Sequence, residues 1–200
     1  MNPARPESAT RGNRMPRCFR NPSDGNLHVQ ITQGEVHVTD DPTHVLTTVL
    51  GSCVAACIRD PVAGVGGMNH FLLPNAEGSG RAPTDYGVNA MELLINGILK
   101  LGGLRDRLEA KLFGGANVVA VRSEIGWRNA LFAEEFLADE GIRLVGGDLR
   151  GVSARRIQFW PTSGRALQIL LGDRHRRVFE EEKRVAVRQP ESERDDVELF

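Results

Sequence analysis

A chain of 200 residues with 40% hydrophobic and 26% charged content suits one globular domain with a proper core and leaves no room for a second large one. A net charge of -1, from 25 basic and 26 acidic residues, gives no global attraction to nucleic acid or to an anionic membrane, so partners must be recognised locally. No apolar run approaches the roughly 18 residues of a bilayer span, and the N-terminal segment holds no apolar stretch of the kind a secretion signal needs, which predicts a cytoplasmic protein without direct membrane insertion.

Residues 1–26 mix five arginines with Pro, Ser, Asn and Gly and show no hydrophobic period, so they predict a flexible tail. The body is expected over residues 27–172. His28 to Val38 alternates apolar and polar residues about a Gln33-Gly34 turn, and Val45 to Leu50 is a β-branched run; both predict strands. Val54–Arg59 and Val65–Leu73 flank Asp60-Pro61-Val62-Ala63-Gly64, a hairpin with Pro and Gly at turn positions. Thr84–Leu101 places Val88, Met91, Leu94, Ile95, Ile98 and Leu99 at helical spacing and stops at Gly102-Gly103.

Lys111–Val121 reads as a strand broken by a glycine pair, and Ser123–Glu140 as a second amphipathic helix closed by Gly141. Ile142–Val145, Arg156–Trp160 and Ala166–Leu171 are the remaining strands, the last two joined at Pro161-Thr162-Ser163-Gly164. From Asp173 charges of both signs dominate, so residues 173–200 predict a second, charged tail, partly helical near Val178–Val187. The expected class is α/β: a single mixed domain of β-sheet layers with two main amphipathic helices.

Cys18, Cys53 and Cys57 are an odd number in a chain without an export signal, which argues against a disulfide framework and leaves a working thiol open. A two-residue hairpin loop at Asp60-Pro61 would set Cys53 opposite His70, and a four-residue loop would make them diagonal neighbours on one face. Alternatively Cys53, after Gly51-Ser52, opens a helix whose dipole lowers its pKa. Either arrangement favours a thiolate, with His70 as base, Thr47 as a hydroxyl to orient the imidazole, and the amides of Gly51 and Ser52 as an oxyanion hole. Against this, lone cysteines are more often small buried hydrophobes, and a histidine in an apolar run is more often a satisfied core residue.

The segment Leu46–Pro74 (LTTVLGSCVAACIRDPVAGVGGMNHFLLP) resembles the CheD family of chemoreceptor glutamine deamidases. The motifs are Thr47, Gly51-Ser52-Cys53, Asp60-Pro61, Gly66-Gly67 and His70 to Pro74. Downstream, Ala90-Met91, Lys111, Phe113-Gly114-Gly115-Ala116, Ile125-Gly126, Asn129, Asp148, Thr162 and Gly164 also match. The resemblance spans roughly Leu27–Leu171 and departs after Asp148, where Leu149-Arg150-Gly151 keeps one of two usual glycines.

What the resemblance implies is a Cys53, His70 and Thr47 triad that converts glutamines of methyl-accepting chemotaxis receptors to glutamates, without metal or organic cofactor. It also implies a CheC-type phosphatase as a second partner. Two other readings stay open: a metal-binding module built on Cys53, Cys57 and either His70 or His44, and a non-catalytic adaptor for receptors or a phosphatase.

Overall fold

The computed structural model describes residues 17–74, 83–117 and 124–172. The expected C-terminal tail, with its helix near Val178–Val187, lies outside the described residues, as do residues 1–16 of the expected N-terminal one. The remainder of that first segment is not a tail: Arg17–Arg20 forms strand β1, paired antiparallel with β2 (Leu27–Gln30). Apolar burial is not what holds β1, since its four residues are exposed. Ladder hydrogen bonds and the Phe19 ring stacked on His28 do.

The architecture has three layers. One sheet runs β1-β2-β4-β9-β10, with β4 (His44–Leu50), β9 (Ala154–Trp160) and β10 (Arg165–Leu171). The other runs β3-β6-β5-β7-β8, with β3 (Val36–Thr39), β5 (Val54–Asp60), β6 (Val65–Asn69), β7 (Glu109–Gly114) and β8 (Arg143–Leu149). Helices α1 (Pro83–Lys100) and α2 (Ile125–Asp139) cover the outer face of the second sheet. Strands and helices stand where they are expected, except that the strand expected over Lys111–Val121 ends at Gly114, with residues 118–121 outside the described ones; the Gln33-Gly34 turn passes the chain from the first sheet at β2 to the second at β3.

Two cores follow. Met91, Leu94, Ile95 and Ile98 of α1 and Ala133, Phe136 and Leu137 of α2 pack on Val54, Ile58, Val65 and Leu112. Val29, Leu46, Leu50, Ile157 and Phe159 of the first sheet meet Ala55, Cys57, Met68 and Phe113 of the second. Because the second sheet is covered on both faces, β5 and β6 read as near-continuous apolar and small residues rather than alternating ones.

The Asp60-Pro61 turn is a four-residue loop, with Asp60 opposite Val65. Its Asp60 side chain is fully buried. Burial pushes that carboxyl up, yet the backbone N–H groups of Ala63, Leu104 and Val62 and the Arg107 guanidinium hold it down to about 2. This is a structural carboxylate that ties the hairpin to the segment after α1.

Candidate active site

The register of the hairpin decides which side chains can meet. Beyond the β5–β6 ladder, Val54 bridges Phe71 through reciprocal backbone hydrogen bonds of 3.0 and 2.9 Å. Both side chains belong to the helix-side core, so their neighbours Cys53 and His70 turn toward the space between the sheets. Cys53 accordingly packs against the inter-sheet core. Cys53 and His70 are thus diagonal neighbours on one face, as a four-residue loop requires. The residues after Cys53 form β5, so Cys53 does not open a helix.

The Cys53 loop is the crossing from the first sheet to the second, and its carbonyls are pinned. Gly51 O accepts from Ala116 N–H at 2.8 Å, Cys53 O from Gly115 N–H at 2.8 Å, and Ser52 O from Asn129 Nδ2 at 2.8 Å. The approach of β7 is so close that a Cβ on Gly114 (φ 108°) would stand 2.2 Å from Cys53 O, which only glycine avoids. Asn129, fully buried on α2, also accepts the Leu73 N–H at 2.9 Å. One amide therefore braces both the Cys53 loop and the chain just past His70, a role spacing alone did not reveal.

His70 is held from three sides. Its backbone N–H donates to Glu35 O at 3.1 Å and its carbonyl accepts from Gly34 N–H at 2.7 Å. Its ring Nδ1 lies 2.9 Å from Thr48 Oγ1, and that hydroxyl lies 2.7 Å from Ile31 O. A hydroxyl has one proton, and a carbonyl can only accept, so the Thr48 proton goes to Ile31 O and Thr48 accepts from Nδ1–H. The neutral ring then carries its lone pair on Nε2, which is buried with no hydrogen-bond partner. Burial pushes the imidazole down to about 4 despite the Ile31 carbonyl, so it is neutral at pH 7.

The hydroxyl that meets the imidazole is that of Thr48, not Thr47. Strand alternation puts Thr48 on the inner face with Leu46 and Leu50, whereas Thr47 points to the opposite face beside Gln30 and Gln158. Cys53 Sγ lies 3.7 Å from Gln33 Oε1 at the mouth of the site. Cys57 is buried in the inter-sheet core, where desolvation pushes its thiol far up, and Cys18 is exposed on β1. His44 lies 3.6 Å from Asp41 at the far end of β4. Among the described residues no three His, Cys, Asp or Glu side chains are grouped to hold a metal ion.

A family model described as "CheD chemotactic sensory transduction" matches residues 72–168. That span begins just past His70, but three relatives reach further. A "probable chemoreceptor glutamine deamidase CheD" of Rhizobium meliloti is 55% identical, over 81% of this chain and 91% of its own. Relatives of the same description from Caulobacter vibrioides and Rhizobium johnstonii are 61% and 56% identical, over 72% and 80% of this chain and 79% and 90% of their own. An alignment over 81% of the chain spans Thr48, Cys53 and His70 wherever it starts.

Proposed function

Since this chain belongs to the CheD family, we propose that it is a chemoreceptor protein-glutamine deamidase with Cys53 as nucleophile, His70 as general base and acid, and Thr48 holding the imidazole. The observation that carries the assignment of roles is the geometry at His70: Nδ1 lies 2.9 Å from Thr48 Oγ1, and Nε2 is buried and unpartnered, on the face that His70 shares with Cys53. A partnered core histidine would leave no such lone pair.

Nε2 takes the thiol proton as sulfur attacks the carboxamide carbon of a receptor glutamine, giving a tetrahedral oxyanion. The carbonyls of Gly51, Ser52 and Cys53 are all engaged, which fixes the backbone of that loop, and the amides of Gly51 and Ser52 serve the oxyanion. His70 then protonates the departing nitrogen, ammonia leaves, and a thioester forms. Water, deprotonated by Nε2, attacks the thioester; glutamate and the thiol are restored. No step calls on a metal or organic cofactor.

The cytoplasm, where receptor glutamines of this kind are reached, is the proposed location; no described helix is long and apolar enough to cross a membrane. The family resemblance supports a CheC-type phosphatase as a further partner, testable by co-elution of the two purified proteins. For the enzyme itself the test is mass spectrometry of a receptor fragment before and after incubation. Glutamine-to-glutamate conversion is expected with the native protein and absent with Cys53→Ala; no conversion by the native protein would favour the adaptor reading.

A further inference from the structure

The Cys53 thiol already has a glutamine beside it. Sγ lies 3.7 Å from the carboxamide oxygen of Gln33, a distance at which an S–H donates weakly to oxygen. Gln33 sits in the tight turn that carries the chain from β2 to β3, and that turn is built onto the base. Glu35 N–H donates to Thr32 O at 3.0 Å and Thr32 N–H to the Glu35 carboxylate at 2.7 Å. Gly34 N–H and Glu35 O then take both backbone groups of His70, at 2.7 and 3.1 Å. The Gln33 side chain, by contrast, is exposed. An anchored backbone carrying an exposed side chain is the construction of a removable cap.

We propose that Gln33 is a resident substitute for the substrate carboxamide, which caps the Cys53 thiol in the resting enzyme and must be displaced by the receptor glutamine. This rests on the deamidase reading for what displaces it, and it extends that reading to how the thiol is kept quiet. With the thiol proton directed at Gln33 Oε1, His70 Nε2 stands without a partner. When an incoming carboxamide takes the place of Gln33, the proton passes to Nε2 and the sulfur is released as a nucleophile only when there is a substrate to attack. No bond of Gln33 is broken, so the cap is reversible.

The test compares iodoacetamide labelling of Cys53 in the native protein, Gln33→Ala and Gln33→Glu, with melting temperature as a check on folding. Labelling several-fold faster in Gln33→Ala is expected, while Gln33→Glu, which keeps the acceptor and sets a negative charge beside a would-be thiolate, labels no faster than native. On a receptor fragment, Gln33→Ala should gain in kcat/KM through a lower KM. Unchanged or slower labelling in Gln33→Ala, equal acceleration in Gln33→Glu, or a raised KM would each overturn the cap; the last would make Gln33 a residue that holds substrate. Labelling needs no receptor, so faster labelling of Gln33→Ala with no deamidation by any variant would sustain the cap and sink the deamidase reading instead.

Discussion

Thr48 lies on β4 of one sheet and His70 directly after β6 of the other, yet their side chains share a proton across 2.9 Å. The Thr48 hydroxyl has no second proton to give, because Ile31 O holds it. Thr48→Val keeps the shape and removes the oxygen, so Nδ1–H loses its acceptor and the preference for a basic Nε2 goes with it. Turnover should fall by on the order of tenfold or more, as when other oriented histidines lose their partner, while Thr48→Ser recovers most of it. Thr47→Val should leave turnover near native. Steady-state assays on a receptor fragment decide, and a loss in Thr47→Val with none in Thr48→Val would reverse the assignment.

The three cysteines should separate by chemistry. Cys57 is fully enclosed and its thiol is pushed up by desolvation, so native protein should show no alkylation there by peptide mass mapping, whereas Cys18 and Cys53 are modified. Cys57→Ala should stay active, with a modest stability loss from the vacated core volume. Cys53→Ala should be inactive with a melting temperature near native. An inactive, folded Cys57→Ala would move the nucleophile.

Burial of neutral His70 predicts a pH limb in stability. The folded pKa, about 4, lies below the ordinary value of about 6.5, so the unfolded chain binds the extra proton. The contribution is complete above pH 6.5 and is lost as pH falls from there toward 4. At pH 5 the native protein should have lost roughly 2 kcal/mol from this group relative to pH 7.5. Urea titrations at the two pH values should show a smaller drop for His70→Gln; equal drops would mean that His70 is solvated.

Asn129 touches no reacting atom in the proposed scheme, but it braces two loops at once. Asn129→Ala leaves the buried Leu73 N–H without its partner, at about 1–3 kcal/mol, and releases the half-buried Ser52 O, so a clear fall in melting temperature is expected. A positioning role goes further: at a temperature where the variant is fully folded, kcat should drop more than KM changes, and Cys53 labelling should slow. A folded variant with native kcat would reduce Asn129 to scaffold.

Much of this was legible in the chain. The Asp60-Pro61 turn and strand parity together put Cys53 and His70 on one face, whereas the glycine pair after Phe113, read only as a break in a strand, proves to be where β7 closes on Cys53 O. The choice between Thr47 and Thr48 was not legible, because β4 is apolar on both faces: Val45 and Val49 flank Thr47 while Leu46 and Leu50 flank Thr48. Periodicity cannot tell which face is inward when neither is polar. Strand β1 was hidden for the opposite reason, since its exposed residues carry no burial pattern at all. The departure at Arg150 became clear only from the backbone. Arg150 has φ 70°, where glycine is at ease, and its side chain pairs with Glu134 at 3.0 Å. An ion pair thus accompanies a positive φ that a glycine, which the resemblance leads one to expect in this turn, would adopt without strain.

Because the chain changes sheets within Gly51–Cys53, the proposed nucleophile sits where one slab of the sandwich passes into the other, with the proposed base just past a strand of one slab and the hydroxyl proposed to orient it on a strand of the other. Catalytic competence is therefore a gauge of how the two slabs are seated. A slip of about an ångström between them would part Thr48 from His70 while leaving every strand intact. Mild loosening, by denaturant or by trimming Phe159 or Met68 in the seam, should silence the enzyme while its circular dichroism still reports a folded protein.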